Sequence, residues 1–271
     1  MTGGHGYGRV ISADEIGIET ARHGGLVMRS AFQLVFSTAE EGMLRAVAAE
    51  SFLRPFRDGI PVPPRPLLEG LAADERAFVA GLGMTLHLRN HRHLDLDGLD
   101  HILATCPTSA SSEDTEQADA ARLVCSIRKP CLAEDGLPPL ARELRARGAR
   151  VAVGGPSLDP PPLDTIRRVR PDIVRIGGGW FRRVCESEGA LRLLARLVEG
   201  FRVDGALVLV EGIETKRQLA AALDAGADLV QGFLLARPEL AGTAIETPVL
   251  DLAAIFAGEA KVIPLFGGAC G

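Results

Sequence analysis

Seven short runs place chemically capable residues at the ends of apolar, strand-like segments: Glu50-Ser51-Phe52-Leu53-Arg54, His87-Leu88-Arg89, Ser126-Ile127-Arg128-Lys129, Gly154-Gly155-Pro156-Ser157, Arg175-Ile176-Gly177, Glu211-Gly212-Ile213-Glu214-Thr215 and Gln231-Gly232-Phe233. Carboxylates such as Glu50 and Glu211 suit hard divalent cations. Guanidinium groups such as Arg54 and Arg175 suit phosphate, which they can grip with two parallel hydrogen bonds. His87, His91 and His93 with Asp95 and Asp97 form a dense cluster. Its spacing would serve a transition metal only on one continuous strand face, and the segment is expected to leave its strand near Leu88, so a solvated loop is the reading for it. Gly177-Gly178-Gly179 lacks the spacing of a dinucleotide fingerprint.

Residues at strand ends need a scaffold that gathers those ends together. The chain has 271 residues, 46% hydrophobic and 24% charged, enough for one large domain. Eight strand candidates alternate with helical runs: Leu26–Phe36, Met43–Leu53, Met84–Leu88, Leu123–Ile127, Arg150–Val153, Ile173–Ile176, Ala206–Val210 and Asp228–Phe233. This order predicts a (β/α)8 barrel, with a doubly wound sheet as the alternative from pattern alone. In such a barrel the strand ends carry the chemistry. Helices are expected over Leu140–Arg147, Ala190–Glu199 and Thr215–Ala225, stopped by Gly148, Gly200 and Gly226. A further helix is expected from Ser12, capped by Glu15, to Gly24-Gly25. Residues 59–66 read as a Pro-rich loop. The division is a flexible N-terminus over 1–11, a barrel over 12–255 and a tail over 256–271.

Composition narrows the function. Thirty Lys and Arg against thirty-five Asp and Glu give a net charge of −5, with one Trp and one Tyr. That balance argues against nucleic acid as a partner, which calls for a basic surface and stacking aromatics. No 18-residue apolar run and no apolar leader are seen, so no membrane partner and a cytoplasmic location are expected. Five cysteines with no CxxC spacing read as reduced, mostly buried thiols.

The second half of the chain resembles the EAL domain family, the barrel phosphodiesterases that cleave cyclic di-GMP. Pro171-Asp172-Ile173-Val174-Arg175-Ile176 resembles its P-x-D-x-x-K-I-D strand, with the proline displaced by one place. Glu211–Thr215 resembles EGVET. Gly226–Phe233 followed by Pro238 resembles the closing G-x-D-x-x-Q-G-[YF]-x-x-x-x-P. Glu211 and Gln231 are 20 residues apart, and Gly154 and Arg175 are 21 apart, as in the family pattern. In the first half, Phe32-Gln33-Leu34-Val35 resembles Y-Q-P-I and Glu50–Arg54 resembles E-A-L-L-R. The resemblance spans roughly residues 12–250, loosely over 55–145, and implies a TIM-like barrel whose first strand runs antiparallel.

The same resemblance implies a two-metal hydrolysis, in which cations activate a water against phosphorus. The family's ligands are the signature Glu, an Asn on the third strand, a Glu on the fourth, an Asp pair on the fifth and an Asp beyond the Lys of the sixth. This sequence keeps Glu50. The Asn position falls on His87 or, with a shift, near Asn90. The fourth strand has Ser126 and Lys129 for its two Glu, the fifth has Gly154-Gly155 for Asp-Asp, and the sixth has Arg175 for Lys and Gly177 for Asp. The loop after the fifth strand, Leu158–Pro162, departs as well. No catalytic residue, no metal and no Mg²⁺ or Mn²⁺ cofactor is therefore expected. The family's ligand contacts map onto Gln33, Glu50, Phe52, Leu53, Arg54, Glu211, Gln231, Gly232 and Pro238. Arg175, with Arg128 or Lys129, adds positive charge where metals would meet the phosphates. The reading is a catalytically inactive receptor for cyclic di-GMP that signals through a regulatory protein, with a homodimer as a further partner. The alternatives are a nucleotide-independent interaction regulator and, least favoured, an active phosphodiesterase.

Overall fold

The structure is a computed structural model that describes residues 10–94, 98–105, 122–127, 136–155, 160–203 and 205–258. Its strands are β1 (Ile11–Ala13), β2 (Glu19–His23), β3 (Leu26–Ser37), β4 (Met43–Arg57), β5 (Ile60–Pro61), β6 (Asp100–Thr105), β7 (Leu123–Ile127), β8 (Arg150–Gly155), β9 (Ile173–Ile176), β10 (Leu207–Val210), β11 (Leu229–Val230), β12 (Glu239–Leu240) and β13 (Val249–Asp251). Eight of them close a ring in the order β3, β4, β6, β7, β8, β9, β10, β11 and back to β3. β3 is antiparallel to both neighbours, and every other junction of the ring is parallel. The expected barrel with its antiparallel first strand is what the chain forms.

Two layers of apolar side chains hold the ring. Val35, Ala48, Ile102, Val124, Ala152, Ile173, Leu209 and Leu229 form one buried cluster, a single residue from each of the eight strands. They fill the interior, as small and branched residues do in barrels of this size. The other faces of the strands pack on helices Leu137–Ala146, Leu163–Val169, Gly178–Val184, Glu188–Val203 and Lys216–Asp224. Thr215 and Gln218 form a reciprocal capping box at the last of these. Gly148 and Gly226 follow their helices with φ of 85° and 78°, the left-handed stop expected of them.

The structure corrects several local expectations. Residues 11–23 form β1 and β2 rather than a helix. Gly24 and Gly25, with φ of 56° and 74°, are the two-residue turn of the β2–β3 hairpin, whose handedness requires positive φ. Met84–Leu88 is no strand: it lies inside helix Ala73–His91. Both faces of that helix's second half are buried, so its apolar run has no period to separate helix from strand. Gly200 does not stop its helix, because Leu194, Val198 and Phe201, all buried, continue the apolar stripe past it. Within the Pro-rich stretch, Pro64–Glu69 is a helix with proline in its first turn, where the missing N–H costs nothing. Strand β1 begins at Ile11, and the last described helix spans Leu252–Ala257. No helix among the described residues is long and apolar enough to cross a membrane.

Candidate ligand-binding site

Side chains alternate along a strand, so the residue two places beyond each interior residue also faces the barrel axis. Towards the carboxyl ends of the parallel strands these residues are Glu50, Ala104, Ser126, Gly154, Arg175, Glu211 and Gln231, with Gln33 from antiparallel β3. The third strand of the ring is β6. The ligand-Asn position that the resemblance implies therefore falls at Ala104 and not at His87 or Asn90, which sit on the helix outside the wall.

Arg175 occupies the centre of this layer and is 1% exposed. Its Nη2 lies 2.8 Å from each oxygen of Glu50, its Nε 2.5 Å from Glu211 Oε1, and its Nη1 2.8 Å from Ser126 Oγ. Burial alone would lower the arginine pKa, but Glu211 and Glu50 more than reverse it, and the group is held above its ordinary value. The guanidinium thus carries a permanent positive charge between two carboxylates, with Glu50 itself fully buried. Sequence reading placed Arg175, Glu50 and Glu211 in one site. The part of Ser126 as a hydrogen-bond acceptor for Arg175 went unread, although its inward register on β7 was available as the signal.

The end of β8 closes on this cluster. Gly154 and Gly155 have φ of 114° and 126°, a region that L side chains avoid. A Cβ at Gly154 would stand 2.2 Å from the Arg175 carbonyl oxygen. At Gly154, the first of the two positions where the resemblance implies ligand carboxylates, the backbone leaves no room for a side chain.

Other expected residues ring the mouth. Gln33 Nε2 donates to Ala236 O at 2.9 Å, and Gln231 Nε2 is buried without a partner. Gly232 lies so close to Ile213 that a Cβ would meet its carbonyl oxygen at 2.0 Å. Pro238 immediately precedes β12, which pairs with β3 beside Gln33. Phe233 is 48% exposed, with the Arg237 guanidinium 5.1 Å from its ring centroid. On β4, Arg54 lies over the Phe52 ring at 5.5 Å. Leu53 is not brought to these residues: it packs with Leu82 and Leu86 of the helix on the outer side of the wall. Arg128, Lys129 and the segment from Pro156 to Asp159 lie outside the described residues, as do Asp95 and Asp97. Cys125 and Cys185 are free and buried, and burial pushes the Cys125 thiol up to about 11, which makes it a poor nucleophile.

Fold and site together describe a (β/α)8 barrel with an antiparallel first strand and a charged cluster at its carboxyl-end mouth. The family model described as EAL domain matches residues 109–238, somewhat under half of the chain. No curated protein matches the chain. Among solved structures, the Klebsiella pneumoniae BlrP1 pH 6 manganese/cyclic di-GMP complex is 17% identical with a TM-score of 0.68, covering 89% of this chain and 62% of its own. The Bacillus subtilis YkuI protein, with an EAL domain, in complex with substrate cyclic di-GMP and calcium is 20% identical with a TM-score of 0.66, covering 85% and 60%. BlrP1 with FMN and cyclic di-GMP but no metal ions is 18% identical with a TM-score of 0.64, covering 82% and 55%. The chain thus spans about three fifths of the length of these proteins.

A two-metal centre does not fit the donors described here. Among the described residues, no group of three or more His, Cys, Asp and Glu side chains is placed to hold a metal ion. The inward positions between Glu50 and Arg175 are Ala104, Ser126 and Gly154, which offer no carboxylate. A cation approaching Glu50 or Glu211 would have to displace a buried guanidinium already bonded to both.

Proposed function

We propose that this chain is a non-hydrolytic EAL barrel that binds cyclic di-GMP without metal ions and passes its bound state to a protein partner in the cytoplasm. The observation that carries the reading is Arg175, a fixed cation held by Glu50 and Glu211 at the centre of the mouth. It occupies both carboxylates, so that a dianionic ligand need not meet them bare and no metal ion is needed to cover them. Arg54 stands at the rim for direct phosphate contact, and the unpartnered Gln231 Nε2 offers a donor to a guanine or phosphate oxygen. That a relative of the same fold is described with cyclic di-GMP and no metal ions supports the metal-independent mode.

A receptor of this kind gives calorimetric binding of cyclic di-GMP that is unchanged by EDTA and weakened at least tenfold by Arg54→Ala, the loss of one charge-assisted phosphate contact being worth about 1.5–3 kcal/mol. No linear product forms with Mg²⁺ or Mn²⁺. Absence of both heat and thermal shift overturns the receptor reading and leaves the nucleotide-independent interaction regulator, whose partner would grip the barrel surface. Turnover with added metal overturns both.

A further inference from the structure

A second buried polar cluster lies on the outer side of the wall, where helix Ala73–His91 packs against β2, β3, β4 and β6. Of the dense histidine run, His87 and His91 lie on the helix and not in a solvated loop: His87 is 8% exposed, and it is joined by His101 from β6 at 4%. His91 and His101 stack with ring centroids 4.0 Å apart and planes inclined by 10°. Phe32 of β3 touches all three rings, at 6.5, 6.2 and 5.9 Å from His87, His91 and His101. His87 Nδ1 is 2.8 Å from Ser30 Oγ, His101 Nε2 is hydrogen-bonded to Ser51 Oγ, and His91 Nε2 is buried without a partner. His93 stands apart, against Gly17.

The charges facing this cluster would repel a proton. From β4, Arg54 acts on His87. On the helix, Arg89 is paired with Glu19 of β2, and Arg92 just beyond it is paired with the same carboxylate, at 3.6 and 3.4 Å. Asp100 of β6 is taken by Arg150 of β8. At the far end of the helix, His23 of β2 lies 3.4 Å from Glu75. β3 contributes only the neutral Ser30 and Phe32. Among the described residues no carboxylate is bonded to any of the three rings. Burial and then Arg54 hold His87 down to about 3. Burial and then the neighbouring histidines hold His101 well below its usual value, and burial lowers His91.

We propose that His87, His91 and His101 form a proton-operated latch: as neutral rings they clasp helix Ala73–His91 to the barrel wall, and their protonation releases it. Released rings regain the ordinary histidine pKa of about 6.5. The clasp is therefore complete above about pH 6.5 and weakens as the pH falls below it. Three protons linked to one release shift the equilibrium by up to about a thousandfold per pH unit. The strands that the latch grips are those carrying Gln33 and Glu50 on their inner faces, so release acts on the wall of the mouth itself.

Amide hydrogen exchange of the full chain between pH 7.5 and 5.5, corrected for intrinsic rates, tests the latch. Amides of residues 73–91 are expected to lose protection by at least about a hundredfold, while those of β8, β9 and β10 change by less than about threefold. In His91→Phe/His101→Phe, which keeps the stacked rings and removes two protonations, the loss should shrink to about tenfold per pH unit. Helix protection that is independent of pH, or an equally steep loss in the variant, overturns the latch. Ring-proton resonances of the unmodified protein give a second reading, independent of whether the variant folds. Titration of any of the three rings near pH 6.5, with helix protection unchanged, also overturns it.

Discussion

Glu50 and Ser51 are consecutive residues of β4, and their side chains leave opposite faces of the strand. Inward, Glu50 meets Arg175, which is also bonded to Glu211 and Ser126. Outward, Ser51 meets His101, stacked on His91. Both clusters are polar, buried and tied to long-range partners, yet they handle charge in opposite ways. The inner one sets a guanidinium, held above its ordinary pKa, between two carboxylates. The outer one holds titratable groups that must stay uncharged, so its stability depends on the solution. A polar group taken out of water needs either a counter-charge or neutrality, and one strand uses both solutions.

The comparison can be broken most directly at Arg175. Arg175→Met strands the Glu50 carboxylate in the interior and is expected to cost about 3–5 kcal/mol in urea denaturation; a loss below about 1 kcal/mol would mean that the inner charges do not depend on one another. Gly154→Ala comes next. It forces a Cβ against the Arg175 carbonyl at a φ of 114°, and a loss of about 3 kcal/mol is expected at the upper end of backbone strain. Ser51→Ala probes the outer cluster alone, removing the partner of His101 for about 1–2 kcal/mol at pH 7.5. The smallest effect concerns salt. In 1 M sodium chloride, where the screening length is about 3 Å, the stability gap between the unmodified protein and Arg175→Met should stay the same, because Arg175 and Glu50 are 1% and 0% exposed. A gap that closes in salt would move the inner cluster into solvent.

What the sequence made legible follows from which residues were constrained. The strand ends after β8, β9, β10 and β11 could be read because motif and spacing coincided there, and Arg175, Glu211 and Gln231 do face one interior. The segment before β6 could not. Met84-Thr85-Leu86-His87-Leu88 alternates in polarity as a strand does, but a helix buried on both faces can place any residue at any phase. That one misreading moved the third strand and left His87 without its true neighbours. His101 was missed because its partner ring lies ten residues upstream on a different element, a contact that only tertiary packing creates. The Ser12–Glu15 pattern mimicked a helix cap, while Gly24-Gly25 carried the stronger hairpin signal.

The geometry at Gly154 bears on redesign. Glycine to aspartate is ordinarily a one-codon change, but here the neighbouring main chain stands where the new side chain would begin. An aspartate at residue 154 would need β8 and β9 to separate at their ends, and that would loosen the seat of Arg175. Installing a carboxylate there is thus a concerted remodelling of two strands and not a single substitution.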